Sequence, residues 1–170
     1  MNDGVPILDE VNACLDALSD EHRIVLEAQI ATRLTQLSEW DRAETVLGFP
    51  PRRNEVDLDA VLRRASREGK RTVLLRSPAD IPPDSPGRST LALVPGCAFD
   101  RAGRFLERGD RSLRQSLYAL APSVVTVGVG FSCQLRTDLN REIVEGVEDA
   151  ILKIIVTESE SCFCRRSPPA

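Results

Sequence analysis

Short apolar runs alternate with segments of helical periodicity along most of the chain. Thr45 to Phe49, Leu91 to Val94 and Val124 to Val129 are β-prone runs without polar alternation, which is typical of strands buried on both faces. Thr72 to Leu75 and Ile151 to Val156 are predicted to be strands of the same kind. Because helical segments separate these runs, the pattern predicts an α/β fold of the three-layer α/β/α type, with a mostly parallel, Rossmann-like central sheet.

Capping signals predict where the intervening helices begin and end. Ser19 is followed by two acidic residues, so we expect a helix to begin there and to end near Ser38. The next helix is predicted to have Asp57 as its N-cap and to stop at Gly69, a residue suited to the left-handed C′ position. The remaining expectations are a helix at Ser112 to Leu120, a proline-rich loop at Ser77 to Ser89 and a short helix within Arg136 to Asp149.

Length and charge limit the classes of function. The 170 residues suit a single domain, predicted for residues 1–160, with a polar tail at residues 161–170. The 22 Lys and Arg residues against 26 Asp and Glu residues give a net charge of −4, which argues against nucleic-acid binding. No apolar run approaches the roughly 18 residues of a membrane span, and the N-terminus lacks the basic region of a secretory signal. We therefore expect a cytoplasmic protein without nucleic-acid or membrane partners.

The cysteines and histidines do not predict a metal or nucleophile site. The chain has five cysteines in scattered positions, of which Cys162 and Cys164 form a C-x-C pair. A zinc site needs more ligands at useful spacing than these cysteines and His22, the only histidine, provide. His22 lies at a predicted helix start, so no Ser/His/Asp or Cys/His arrangement is indicated. We expect reduced thiols and no metal ligands among these residues.

Polar residues that follow the predicted strands are the candidates for substrate binding. In parallel sheets, ligands bind beyond the carboxyl ends of the strands, which here are residues 49–55, 95–109, 131–134 and 157–158. Glu55 and Gln134 lie in two of these segments, and each is a candidate substrate contact. The alternative for each is an ordinary solvated loop residue.

A glycine-containing, arginine-rich loop follows the strand at Leu91 to Val94. Arg104, Arg108 and Gly109 are the candidates there for binding an anionic cofactor such as a phosphate. The alternative is an exposed turn, in which Glu107 and a neighbouring aspartate compensate the arginines.

Three blocks of sequence together resemble the 5-formyltetrahydrofolate cyclo-ligase family, also called 5,10-methenyltetrahydrofolate synthetases. They follow the family's order and approximate spacing over about residues 17 to 158. The blocks are Asn54-Glu55-Val56-Asp57 with Glu68-Gly69-Lys70-Arg71, then L-V-P-G-C-A-F-D-R-A-G at Leu93 to Gly103, and then V-G-V-G-F-S-C-Q-L at Val127 to Leu135 with Asp149 and Ile155 to Glu158.

The resemblance implies a three-layer α/β fold, a folate substrate, and ATP and Mg²⁺ as cofactors of an active enzyme. The implied reaction closes 5-formyltetrahydrofolate to 5,10-methenyltetrahydrofolate. Phosphorylation makes the formyl oxygen a leaving group, and the neighbouring nitrogen then attacks and expels phosphate. The resemblance also implies that Glu55 contacts the folate.

The chain departs from the family pattern directly after Gly103. The family reads x-R-L-G-x-G-G-G-Y-Y-D-R, whereas residues 104–115 read R-F-L-E-R-G-D-R-S-L-R-Q. Three family glycines are replaced by Glu107, Asp110 and Arg111, whose side chains obstruct the close approach of a phosphate to the backbone. Three interpretations follow: an active cyclo-ligase, a catalytically inactive relative that binds a folate, another anion or a protein, and an enzyme that uses these arginines for a different anionic donor.

Overall fold

Five α-helices and two β-sheets make up the part of the chain that the structure describes. The computed structural model describes residues 6–52, 54–85, 89–107, 112–120, 122–139, 147–148 and 151–164. The helices are α1 (Ile7–Asp16), α2 (Asp20–Thr35), α3 (Ser38–Arg42), α4 (Asp59–Arg67) and α5 (Ser112–Ala119). The strands are β1 (Thr45–Gly48), β2 (Arg71–Leu74), β3 (Thr90–Pro95), β4 (Ala98–Asp100), β5 (Phe105–Leu106), β6 (Val125–Val129), β7 (Leu135–Arg136), β8 (Val147–Glu148), β9 (Ile154–Val156) and β10 (Ser161–Phe163).

The central sheet has six strands in the order β10-β9-β6-β3-β1-β2. Neighbouring strands are parallel except at one edge, where β10 pairs with β9 in antiparallel register. The predicted α/β class with a mostly parallel sheet is therefore confirmed. Because β10 begins at Ser161, the first residues assigned to a polar tail belong to the sheet, and residues 165–170 lie outside the described part of the chain.

Successive side chains of the central strands pack into two cores, one on each face of the sheet. Leu91 and Leu93 of β3 belong to the core that α1 to α4 cover, whereas Ala92 and Val94 belong to the other core. Both sets are almost completely buried, which is why this run shows no polar alternation. The side chain of Trp40 on α3 is the largest in the first core.

The second face is covered by α5 and by a small four-stranded sheet that the sequence pattern did not predict. Its strands have the order β7-β4-β5-β8 and contain only two or three residues each, too few to show a period. Strand β8 lies in the polar stretch Arg136 to Asp149, for which we predicted a short helix, and β7 ends at the first residue of that stretch. The described residues of that stretch contain strand and irregular backbone, and residues 140–146 and 149–150 lie outside the description.

The capping signals locate two helix ends correctly and two approximately. The Ser19 hydroxyl accepts a hydrogen bond from the His22 N–H, so α2 begins as predicted, although it ends at Thr35 rather than near Ser38. Gly69 has a φ of +80° and closes α4 in the predicted left-handed position. The predicted N-cap Asp57 lies one residue too early, and its carboxylate instead accepts a bond from the Asp59 N–H.

Helix α1 precedes the first predicted helix and was missed. Only Val11 and Leu15 on it are fully buried, and a single pair of positions gives a weak periodic signal. Helix α1 is one of the helices that cover the first core. No helix among the described residues combines the length and the apolar character that spanning a bilayer needs.

Gly103 and Gly69 provide a matched test of the turn that joins β4 to β5. Both have positive φ, but an added Cβ at Gly103 would overlap the Leu152 carbonyl oxygen, whereas one at Gly69 would meet nothing within 4 Å. We expect Gly103→Ala to lower the free energy of unfolding by about 3 kcal/mol or more, since conformational strain adds to overpacking. Gly69→Ala should lower the free energy of unfolding by only about 1 kcal/mol. Urea denaturation measures both, and equal losses would contradict the assigned turn.

Candidate functional site

The carboxyl ends of β1, β2 and β3 open into one cavity of about 180 Å³. Phe49 after β1, Leu75 after β2 and Leu113 at the start of α5 form its apolar wall. Pro95 and Gly96 at the end of β3 border the same space. This cavity lies where ligands bind in parallel α/β sheets, and it is the candidate site.

Four charged residues line the cavity as well. Arg52 and Glu55 come from the loop after β1, Arg76 follows β2, and Glu107 follows β5. The cavity therefore combines an apolar wall with two guanidinium groups and two carboxylates. An apolar cleft with a few polar groups is the usual construction of a small-molecule site.

The ring of Phe99 packs against Gly96, which lines the cavity. Phe99 has no exposed surface, and its ring lies directly against the backbone of three glycines. A Cβ added at Gly96, Gly128 or Gly130 would approach carbon atoms of this ring to 3.1, 3.0 and 2.8 Å. Contacts this short leave little room for a side chain, so the glycines at the ends of β3 and β6 serve packing. Two of the blocks that resemble the cyclo-ligase family supply these residues.

Gln134 lies under the cavity wall rather than in it. Its side chain has no exposed surface. Its Nε2 donates to the carbonyl oxygens of Gly96 at 2.7 Å and Cys97 at 3.0 Å, and its Oε1 accepts from the Phe131 N–H at 2.8 Å. Both amide protons are thereby used. Predicted as a substrate contact, Gln134 instead positions Gly96, which borders the cavity.

Glu55 is placed at the cavity by a tight turn. The Arg52 N–H donates to Glu55 Oε2 at 2.9 Å, and the Glu55 N–H donates to the Arg52 carbonyl oxygen at 3.1 Å. Asn54, with a φ of +68°, makes the turn, which α1 and α2 hold: Asp16 accepts from its amide, and Arg23 donates to its carbonyl oxygen. The structure thus supports the side chain of Glu55 at the cavity, and contact with a substrate stays a prediction.

Arg104 has a different role from the predicted one. Asp100, which has no exposed surface, accepts at Oδ1 from the N–H groups of Ala102 and Arg104. At Oδ2 it accepts from Arg104 Nε at 2.7 Å and from the Leu139 N–H at 3.0 Å. The Arg104 guanidinium also pairs with Asp138. This guanidinium, predicted to bind a cofactor, instead neutralises a buried carboxylate in the β4–β5 turn. Arg108 and Gly109 lie outside the described residues.

Glu107 occupies the start of α5. Its Oε1 accepts from the Leu113 N–H at 2.9 Å, and its Oε2 accepts from the Arg114 N–H at 3.3 Å. The first N–H groups of a helix have no intrahelical partner and lie at the positive end of the helix dipole. Glu107 therefore satisfies two of these groups with a carboxylate at the edge of the cavity.

The described residues do not fit ATP and Mg²⁺ in the way that the family resemblance implies. The N–H groups at the start of α5 are the natural place for a phosphate, and the Glu107 carboxylate takes two of them. The described residues contain no group of three or more His, Cys, Asp or Glu side chains that could hold a metal ion. No catalytic step through a bound nucleotide is therefore derived from this arrangement.

The ends of β6 and β9 border a second cavity, separate from the first. Cys14, His22, Cys133 and Glu158 line this space of about 410 Å³. Burial, together with the neighbouring Cys14 thiol, raises the pKa of the Cys133 thiol to about 12. Cys133 is therefore protonated at neutral pH and is a poor nucleophile. The four strand ends named in the sequence analysis as places for ligand binding are thus divided between two cavities.

Two solved structures are similar to this chain over nearly its whole length. The NMR structure of a 5,10-methenyltetrahydrofolate synthetase from Aquifex aeolicus matches with a TM-score of 0.74 and 22% identity, covering 96% of this chain and 94% of that chain. A 5,10-methenyltetrahydrofolate synthetase from Mycoplasma pneumoniae matches with a TM-score of 0.67 and 18% identity, covering 89% of this chain and 96% of that chain. This chain has the fold of these synthetases.

The synthetase fold confirms, at the level of architecture, the family resemblance carried by the three sequence blocks. No protein-family model matches the sequence, and a search of curated proteins finds no match. The shared fold therefore rests on the structure and on the blocks that surround Phe99. At these levels of identity the match defines the architecture and not the activity.

Three charged residues of the cavity, Arg52, Arg76 and Glu107, were missed as site residues in the sequence. Arg76 is the first cation after β2, and its position at a strand end was a usable signal. Glu107 was noted only as an acid that compensates arginines. A carboxylate a few residues before a predicted helix start is a capping signal, and Ser112 marks that start.

Removal of the Gln134 amide should destabilise the wall of the cavity. We expect Gln134→Ala to lower the free energy of unfolding by about 3 kcal/mol or more, because it leaves one buried N–H and two buried carbonyl groups without this partner. Gln115→Ala on the exposed side of α5 is the control and should change it by about 0.5 kcal/mol or less. Chemical denaturation measures both variants. Similar losses would show that the Gln134 hydrogen bonds are not formed.

Proposed function

We propose that this chain is a diverged protein of the 5-formyltetrahydrofolate cyclo-ligase family and that its cavity at the ends of β1 to β3 binds a reduced folate. The observation that carries the proposal is the convergence of two family-like blocks on one cavity. Glu55, from the first block, and Pro95 and Gly96, from the second, line the same space although they are far apart in the sequence.

The chemistry of the lining suits the ring end of a folate. The pyrimidine half of a reduced pterin is flat and apolar on its faces and carries N–H donors along its edge. Phe49 and Leu113 offer apolar surface, and the Glu55 carboxylate accepts hydrogen bonds. The cavity of about 180 Å³ is smaller than the roughly 300 Å³ at the lower end of ligand pockets, so it holds a ring rather than a complete folate.

The two arginines of the cavity suit the acidic end of the same ligand. Folates carry carboxylates on their glutamate portion, and guanidinium groups bind carboxylates with paired hydrogen bonds. Arg52 and Arg76 lie on loops that follow adjacent parallel strands. The orientation we propose places the ring of the folate against Phe49 and Leu113, and the glutamate portion leaves the cavity past these arginines.

The proposed reaction is the ring closure of 5-formyltetrahydrofolate to 5,10-methenyltetrahydrofolate. A bond forms between the formyl carbon and the neighbouring nitrogen, and the bond from that carbon to its oxygen breaks. The oxygen would need activation before it leaves as phosphate, and phosphorylation by ATP would supply that activation in a cyclo-ligase. This chain's contribution is to bind the folate through Glu55 and the arginines and to exclude water with the apolar wall.

Turnover is the direct test of the reaction. We expect the absorbance of the methenyl product to rise when the purified protein receives 5-formyltetrahydrofolate with MgATP, and not when either is omitted. A cyclo-ligase with the intact glycine-rich loop is the positive control. Folate binding without product would contradict the catalytic proposal and would identify a catalytically inactive folate-binding relative.

The substrate role of Glu55 has its own test. We expect Glu55→Gln to weaken the binding of 5-formyltetrahydrofolate about tenfold, because the carboxylate forms charge-assisted hydrogen bonds that a neutral amide does not. The amide keeps an oxygen for the Arg52 N–H, so the turn is retained. Glu21→Gln makes the same charge change on exposed α2 and should leave the dissociation constant unchanged. Isothermal titration calorimetry measures all three proteins, and an unaltered constant for Glu55→Gln would remove it from the site.

A further inference from the structure

The start of α5 faces the candidate cavity and already holds an anion that belongs to the chain. Glu107 and Leu113 both line the cavity, and the Glu107 carboxylate accepts hydrogen bonds from the N–H groups of Leu113 and Arg114. The two oxygens are used separately, Oε1 for Leu113 at 2.9 Å and Oε2 for Arg114 at 3.3 Å. One side chain thus covers two adjacent donors at the cavity edge.

This arrangement has a direct consequence for anionic ligands. A phosphate that approaches the same donors must first displace a carboxylate that they already stabilise. If the carboxylate stays nearby, the two negative charges also repel each other at short distance in a partly desolvated cleft. The corresponding position in the family's loop is glycine, which adds neither the hydrogen bonds nor the charge.

We propose that Glu107 is a specificity-determining residue that weakens the binding of polyphosphates at the start of α5 and leaves the remainder of the cavity accessible to the folate. The residue acts as a built-in substitute for a phosphate. Only the identity of the organic ligand, a folate, rests on the proposed function. The weakened binding of polyphosphate is argued from the Glu107 contacts alone and is tested without folate.

The test measures the affinity for inorganic tripolyphosphate, and then for ATP, by calorimetry at low ionic strength. The proteins are the wild type, Glu107→Gln and Glu107→Gly, with Glu21→Gln as the control for net charge. We expect Glu107→Gln to bind tripolyphosphate about tenfold more tightly than the wild type, since the repelling charge is removed and the helix dipole then favours the ligand. Glu107→Gly should raise the affinity for tripolyphosphate at least as much, because the Leu113 and Arg114 N–H groups then have no carboxylate from the chain to bind. Glu21→Gln should bind as the wild type does.

The outcomes decide the proposal in both directions. Circular dichroism establishes that each variant is folded. If Glu107→Gly does not fold, the isosteric Glu107→Gln still decides the test. Equal tripolyphosphate affinity in wild type and folded Glu107→Gln would overturn the proposal, as would an equal gain in Glu21→Gln. Calorimetry with 5-formyltetrahydrofolate on the same proteins tests the proposed function separately. A gain for polyphosphate without any folate binding would leave the inference standing and reject the folate ligand.

Discussion

The contact between the Phe99 ring and three glycine backbones determines how the two sheets of this protein meet. Strand β4 leaves the end of β3 through Gly96 and returns across the central sheet, so its aromatic side chain must lie on β3 and β6. Any Cβ at Gly96, Gly128 or Gly130 would push the ring away. Gln134 then fixes the turn at Gly96 with two hydrogen bonds. The shape of the cavity depends on this junction, because Pro95 and Gly96 form part of its wall.

Charged groups near this junction are paired largely within the chain. Asp100 is buried and gathers its N–H donors and the Arg104 guanidinium, which makes a buried carboxylate tolerable. Glu107 is bound at the start of α5 in the same manner. The blocks that resemble the synthetases thus supply packing and internal neutralisation. At the start of α5, the Glu107 carboxylate occupies two N–H groups on which a phosphate could otherwise bind.

Much of the fold was predictable because it depends on burial. The apolar runs at β1, β3 and β6 and the Ser19 and Gly69 caps indicate the central sheet and two of its helices. The small sheet was not predictable, since its strands are shorter than one detectable period. The site was harder for a different reason: spacing along the chain places Gln134 at a strand end but does not show whether its amide meets a ligand or the backbone. The same limit applies to Arg104, whose partner Asp138 lies 34 positions further along the chain.

A crystal structure of the protein grown with both 5-formyltetrahydrofolate and tripolyphosphate tests the central claim most directly. The account predicts folate density against Phe49 and Leu113 with Glu55 at the ring edge, and Glu107 still bound to the Leu113 and Arg114 N–H groups. Phosphate density on those two N–H groups with Glu107 displaced would contradict it, and so would folate bound in the cavity beside Cys14 and Cys133.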